Sequence, residues 1–495
     1  MVEYFTVEQL LPLMIGLPFI LASIFTFPRK KNLALFCLFI GTLSLGFFMA
    51  LLDPYLSRWD EQFHALVAKN MANSPFHPQL YTDDVLCNLP FDWTLGTTWL
   101  HKQPFFLWLM AGSIKLFGPT ALAVRLPSVI LHALLPLFVY RIGFHLKNPR
   151  TGFIAALLVA CAYYPLELVA GKMTTDHNDL VFLVMLTGSF WAWFEYEATK
   201  NNKWLIAIGL FAGCAVLTKW LMGLLVFVIW LGVKSIIHRK EWFKWKTYLP
   251  LFYAGCTAVL TFLPWQIYIF SVFPEQDKHE MEYNSRHLTE AIEGHGEHFF
   301  YHFQEGFQML YFDSTLLNIA LWLCFFWFVF RLKNLFHRAI VFGTVFFVYV
   351  FYTLAVTKMP SFPVIALPFF LLAIASLLDE ISSFMESKIS NNQLKITLQC
   401  ILLLLVSFSF MGLDRIQSKH TFESPERNDD RMGKMREYQF IQQLPEVLGK
   451  EKYVLFNALI TLHGNIPTMF FTDYLAYSHL PSKEDIQKVR KKGYK

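Results

Sequence analysis

Long apolar runs recur along the chain and constrain its fold more than any other feature. A run of about 17–25 apolar residues is long enough to cross a bilayer as a helix. Such runs are predicted near 10–27, 33–53, 121–143, 151–170, 178–198, 203–218, 220–237, 247–270, 314–331, 338–356, 361–380 and 396–413. Only 16% of the residues are charged, against about 25% in a soluble domain. The 52 Phe also suit lipid-facing helices. In lipid a helix satisfies its own backbone polar groups within one segment. The sequence thus predicts an all-α polytopic membrane protein with about twelve transmembrane helices. The pair flanking Thr218-Lys219-Trp220 reads either as two spans or as one long bent helix.

Orientation follows from the basic residues of the connections. The loops on the side of Arg29, Lys30 and Lys31 hold eighteen Lys and Arg; the opposite loops, leaving out the C-terminal tail, hold nine over longer stretches. The Arg29 side is therefore predicted to be cytoplasmic, with both termini outside. The start of the chain lacks a basic segment and a small-residue cleavage site, so 10–27 reads as a retained helix.

Four regions follow: N-terminal transmembrane helices 1–53, an outer loop 54–120, a transmembrane core 121–413 with a second outer loop 271–313, and a polar tail 414–495. Within the first loop, Pro104–Phe117 is apolar but short for a span and reads as a helix lying in the interface. In the tail, Tyr453–Asn457 and Met469–Asp473 read as short strands. Ser482 and Asp485 form a capping-box-like start for a helix from Lys483 to Lys492. The tail is thus expected to be a small α/β periplasmic appendage.

The formal net charge of +5 is modest, and no basic arm with interleaved aromatics argues for nucleic acid. Most of the seven Cys fall in apolar runs, where a thiol behaves as a small hydrophobe. Cys87 falls in a predicted exposed loop. No zinc-type spacing occurs.

Polar residues at helix mouths are functional candidates because burying them is costly unless they are paired. Here they cluster on the outer side. Arg58-Trp59-Asp60-Glu61 follows the second span; its carboxylates suit proton transfer or metal binding, or simply a solvated loop start. His101-Lys102-Gln103-Pro104 precedes the interfacial helix. Lys102 suits a lipid phosphate or an interfacial anchor, and His101 is a candidate ligand for a divalent metal ion. Asp176 and Asp179, in Thr174-Thr175-Asp176-His177-Asn178-Asp179, would share a helix face, or serve as first-turn carboxylates. Glu282 to His287 brings Arg286, whose guanidinium fork matches phosphate. Lys358, in Thr357-Lys358-Met359-Pro360, is another outer-side cation or a plain anchor. Together, acidic groups, cations and an interfacial helix facing one compartment suit a lipid-phosphate substrate whose headgroup reacts at the membrane surface.

These residues also have a familiar order. Arg58-Trp59-Asp60-Glu61, Ala68 and Met71, Lys102-Gln103-Pro104, Leu116-Phe117-Gly118, Arg125-Leu126-Pro127-Ser128, Leu217-Thr218-Lys219, Glu282 to Arg286 and Lys358 to Pro368 resemble the GT-C membrane glycosyltransferases of the protein-mannosyltransferase-like superfamily, the lipid A aminoarabinose transferases among them. The resemblance covers most of 54–380. It implies transfer of a sugar from a polyprenyl-phosphate carrier to a glycolipid, another envelope glycan or a protein, on the periplasmic face of the bacterial inner membrane, with inversion. It implies that Asp60 is the general base, that Asp176 or Asp179 is a second acidic position, and that Lys102, Arg286 and, in a late motif, Lys358 hold the carrier phosphate. Glu61, beside Asp60, is counted with the catalytic carboxylates.

Three departures stand out. Lys102-Gln103-Pro104 replaces a usual Lys-Pro-Pro. His101 stands where the aminoarabinose group has Glu, which alters any metal ligand set there. Phe362 replaces a Tyr that helps hold phosphate, and it cannot donate a hydrogen bond. The rivals are a secondary transporter, which would carry inverted repeats and midplane charges, and a non-catalytic subunit of an envelope assembly.

Overall fold

A computed structural model describes residues 6–83, 85–86, 91–173, 176–237, 244–420, 425–449, 451–457 and 463–495. The Cys87, Thr174 and Thr175 of the sequence reading lie outside the described residues. In chain order the helices are α1 (Val7–Thr26), α2 (Lys31–Ala50), α3 (Asp60–Met71), α4 (Phe105–Phe117), α5 (Ala121–Leu146), α6 (Pro149–Ala160), α7 (Tyr163–Val169), α8 (Asp176–Thr199), α9 (Lys203–Lys219), α10 (Leu225–Ile237), α11 (Leu249–Val272), α12 (Pro274–Arg286) and α13 (Glu305–Leu310). They continue as α14 (Thr315–Arg331), α15 (Leu335–Leu354), α16 (Leu367–Lys388), α17 (Asn392–Met411), α18 (Leu413–His420) and α19 (Pro425–Leu448), then β1 (Val454–Phe456), α20 (Asn465–Phe471), β2 (Leu475–Tyr477) and α21 (Lys483–Lys491).

Among the described residues, eight helical stretches are long and apolar enough to cross a membrane, and nine if the bent pair α6–α7 counts as one span, where the apolar runs predict about twelve; α14, for one, is shorter than a full span. This is a multi-pass membrane protein. Lys203–Ile237 enters that count as one stretch, yet the chain reverses inside it. Trp220 has φ 58°, and a Cβ on Gly223 would meet the backbone nitrogen of Val216 at 2.3 Å. Residues seven apart in a straight helix lie about 10 Å apart, so α9 and α10 are two legs joined by the 3-10 turn Trp220–Leu224. The alternative of one long bent helix is thereby set aside.

The helices pack as a series: α1 on α2, α2 on α5, α5 on α6 and α8, α8 on α9, α9 on α11, and α16 on α6 and α14. Helix α8 is buried along nearly its whole length and lies at the centre. Helices α11 and α17 present Phe252, Leu260, Phe270 and Leu405 outward, as a lipid-facing layer would. Charges are confined to the two ends. On α5, Arg125 and Arg141 are about 24 Å apart along the axis. Arg125 bonds Glu61, and Arg141 bonds Glu195 at the far end of α8. Asp379, Arg150 and Asn148 are joined at the same end as Arg141. Arg141, Lys147 and Arg150 of the basic side thus supply one ionic layer, and the candidate residues supply the other.

The apolar piece before Phe117 is indeed a helix, α4, packed on α3 and α5. In the tail, β1 and β2 pair in parallel through Val454–Leu475, Leu455–Ala476 and Phe456–Tyr477. The expected strand at Met469–Asp473 is corrected: most of it belongs to helix α20, and the strand follows at Leu475. Short apolar runs do not separate helix from strand by periodicity. The capping box of Ser482 and Asp485 is present at the start of α21. The tail rests on the outer loop through Lys69, whose ammonium donates to the carbonyls of Met469 and Thr472, and through Tyr494 on Asp83.

Candidate active site

The outer end of the bundle is organised around one buried ion pair. Arg125 Nε donates to Glu61 Oε1 at 2.7 Å and Nη2 to Oε2 at 3.0 Å. The remaining guanidinium donors bond the carbonyls of Ala50, Asp53 and Tyr55. Glu61 also accepts from the Ser57 backbone, and His177 Nε2 lies 3.3 Å from Oε1. His177 Nδ1 is in turn 2.8 Å from Ser128 Oγ. Burial opposes ionisation of Glu61, but Arg125 and His177 prevail and hold its pKa at about 2. Gly171 completes the nest: its φ is 68°, and a Cβ there would meet Glu61 Oε1 at 2.2 Å. This network pins the start of α3 to α2, α5 and α8. Both oxygens of Glu61 are engaged in it, so the geometry gives Glu61 a supporting place beside Asp60.

Asp60 is the first residue of α3 and is partly exposed. Trp59 before it has φ 65°, a costly conformation for a large residue. Two further positive φ angles fall at Asp176 (24°) and at Trp220 next to Lys219. All three strained residues therefore lie at or beside charged groups of this end. His64, one turn along α3, has Nε2 4.0 Å from Asp60 Oδ1 and Nδ1 3.1 Å from Asp176 Oδ1.

An aromatic wall carries the loop before α4 up to α3. Trp93 packs against Phe63 with ring centroids 4.8 Å apart and stacks on His101 at 4.8 Å. Trp99 bridges His64 and His101, at 5.8 and 5.7 Å. The Lys102 ammonium lies 3.1 Å from His101 Nε2. Asp60, His64 and Lys102 all lie within electrostatic reach of His101. Burial first, and then Lys102, hold His101 well below the usual histidine range. Its Nδ1 faces Glu280 of α12 at 3.6 Å, and burial raises the Glu280 pKa. Asp92, Trp93, Trp99, His279 and Glu280 line a shallow cleft here.

The two carboxylates of α8 do not share a task. Asp176 faces His64, whereas Asp179 pairs with Lys219 from the end of α9. The Lys219 ammonium also lies over the ring of Phe362, 4.8 Å from its centroid. Where a Tyr would offer a hydroxyl, this chain thus offers a π face to a cation.

Other cations are spent differently. Lys358 is buried and donates to the carbonyls of Thr353 and Ala355, at 2.9 and 2.5 Å, closing the end of α15. Arg286 is half exposed and bonds Glu290 one turn on, at 2.7 Å. Its helix reaches the site through Tyr283, whose ring is 5.7 Å from His101. The structure thus brings together Asp60, Glu61, Asp176, Asp179, His101 and Lys102, and leaves Arg286 and Lys358 engaged elsewhere. It adds His64, Arg125, His177 and Lys219.

A divalent cation does not fit on the Nε2 side of His101: the ammonium of Lys102 occupies it, and among the described residues no group of three His, Cys, Asp or Glu is placed to hold a metal ion.

The family model described as dolichyl-phosphate-mannose-protein mannosyltransferase matches residues 101–268. The undecaprenyl phosphate-alpha-4-amino-4-deoxy-L-arabinose arabinosyl transferase of Pseudomonas aeruginosa is 29% identical over 189 residues, 36% of this chain and 32% of that one. The Proteus mirabilis protein of that name is 27% identical over 186 residues, again 32% of its length. The matched part thus spans about a third of these relatives. In fold, the chain is similar to ArnT from Cupriavidus metallidurans crystallised with undecaprenyl phosphate: TM-score 0.61, 15% identity, 92% of this chain and 87% of that one. The apo Archaeoglobus fulgidus oligosaccharyltransferase follows at TM-score 0.55 and 12% identity, covering 92% and 65%. The chain is therefore similar in fold to these membrane proteins, and over about a third of its length it is similar in sequence to the aminoarabinosyl transferases.

Proposed function

We propose that this protein is a glycosyltransferase that moves a sugar from a polyprenyl-phosphate carrier to an acceptor at the outer surface of the bacterial inner membrane. The observation that carries the reading is the placement of Asp60 beside the His101-Lys102 loop, with Lys219 and Asp179 on neighbouring helices of the same end. A partly exposed carboxylate at a helix N-terminus can take a proton from an acceptor hydroxyl. A nearby ammonium can neutralise charge that develops on a departing phosphate. The relatives' names support the carrier class, since they act with undecaprenyl-phosphate sugar.

In this reading Asp60 is the base, and displacement on the opposite face of the anomeric carbon inverts its configuration. Lys102 binds the carrier phosphate. Lys219, held by Asp179, is placed to assist it. Arg286 would join on binding, by exchanging Glu290 for phosphate. Lys358 keeps the end of α15 in place. The sugar is a hexose or a pentose, and the acceptor is a lipid A-type glycolipid, another envelope glycan or a protein. The outer loop 54–120 supplies the base, the core 121–413 the cations, and the tail 414–495 a cover.

The test is mass spectrometry of envelope glycolipids and glycoproteins from cells with and without the protein. Loss of one sugar mass from one component is expected. Unchanged envelopes, with uptake of a solute into vesicles instead, would point to a transporter.

A further inference from the structure

His64 sits between two carboxylates and is 1% exposed. Nδ1 is 3.1 Å from Asp176 Oδ1, and Nε2 is 4.0 Å from Asp60 Oδ1. Trp99 and Phe106 close on the ring, with centroids at 5.8 and 4.8 Å. The other charged or titratable groups nearby are His101 with Lys102 on the loop before α4, and Glu61 and His177, which are bonded to Arg125 and Ser128. Asp176 is itself fully buried, and its second oxygen, Oδ2, has no hydrogen-bond partner among the described residues. A buried carboxylate left half unsatisfied is costly. Among the described residues its charge has one titratable side chain in direct contact, His64.

We infer that His64 is a relay and positioning residue for Asp60, resting on the glycosyl-transfer reading above. With Asp176 accepting from Nδ1–H, the imidazole is fixed in the tautomer whose Nε2 lone pair faces Asp60. As the acceptor oxygen bonds to the anomeric carbon, its O–H bond breaks and the proton goes to Asp60. The carbon–oxygen bond to the carrier breaks, and its electron pair stays on the phosphate. Asp60 then passes the proton to Nε2 of His64, and Asp176 balances the imidazolium. The proton returns to bulk water as product leaves, so the base is regenerated. The 4.0 Å gap shortens when substrate fills the site, as catalytic hydrogen bonds commonly do.

The test uses the full-length protein in proteoliposomes, supplied with polyprenyl-phosphate sugars extracted from the producing cells, and follows release of polyprenyl phosphate. Wild-type release comes first; its absence would count against the glycosyl-transfer reading and not against His64. In His64→Gln, kcat is expected to fall on the order of 100-fold, near the low end for positioned proton transfer, while the donor KM stays within about twofold. Added imidazole should restore part of the rate to His64→Gly and none to His64→Gln. Asp176→Asn should lose as much as His64→Gln, and the double variant no more than either. If both His64 variants fail to fold, Asp176→Asn decides: a comparable fall in kcat with the donor KM held supports the relay. An Asp176→Asn rate equal to wild type overturns it, as does a folded His64→Gln at the wild-type rate or a loss confined to donor KM.

Discussion

Glu61 and Arg125 meet as a two-point pair, Nε to Oε1 at 2.7 Å and Nη2 to Oε2 at 3.0 Å, with no exposure of either side chain. They are 64 residues apart in sequence and join the start of α3 to the start of α5. The backbone that presents Asp60 is therefore held by its neighbour.

Removing one partner leaves the other buried and uncompensated. Arg125→Leu is expected to cost about 3–5 kcal/mol, and Arg125→Leu/Glu61→Leu to recover most of it. Thermal unfolding in detergent measures both. The pair also sets an acid limit. Because the folded pKa of Glu61 is depressed from 4.5 to about 2, its contribution of about 3 kcal/mol is present above pH 4.5 and is lost as pH falls toward 2. Glu61→Gln should flatten that part of the stability profile.

The three cations singled out by sequence should separate in kinetics. Lys102→Ala is expected to raise the donor KM about tenfold or more, with little change in melting temperature. Lys358→Ala should do the reverse, because its ammonium closes a helix end. Arg286→Ala should leave melting unchanged, since its contact is exposed, and should raise the donor KM only if substrate draws it from Glu290. Steady-state kinetics beside melting curves distinguish all three.

Much of this was legible in the sequence, and the losses have a common cause. Apolar length placed the helices, since it is a local property of a segment, although eight or nine stretches among the described residues are long and apolar enough to cross a membrane where about twelve are predicted. Asp60, Lys102, Asp176 and Asp179 stood out as polar residues at helix mouths. Arg125 and Ser128 were visible only as part of a resemblance, because their partners Glu61 and His177 are brought in by packing of distant helices. His64 belongs to no motif visible in the sequence, because its carboxylate partner Asp176 is 112 residues away. Lys219 seemed to divide two spans; the reversal at Trp220 turns it toward Asp179. Lys358 and Arg286 show the converse, for their near partners give no pattern that separates capping from phosphate binding.

Chelation gives a third expectation. Because Lys102 takes the Nε2 side of His101, EDTA should leave transfer unchanged, and added divalent ions should not stimulate it. Activity that vanishes with EDTA and returns with one metal would contradict the assignment.

Orientation can be read directly by labelling. Glu275→Cys on α12 and Lys388→Cys at the end of α16 lie at exposed positions in connections assigned to opposite sides. In intact cells from which the outer membrane has been stripped, an impermeant maleimide should label the first and spare the second until the inner membrane is opened. The reverse pattern would place the candidate site in the cytosol.

The most direct measurement compares wild type with Asp60→Asn, reconstituted at equal amounts and supplied with polyprenyl-phosphate sugar, by release of the carrier phosphate. Loss of a positioned base predicts a fall of about 10²- to 10⁴-fold in kcat, with the same melting temperature and the same affinity for the carrier. Release by Asp60→Asn at the wild-type rate would contradict it.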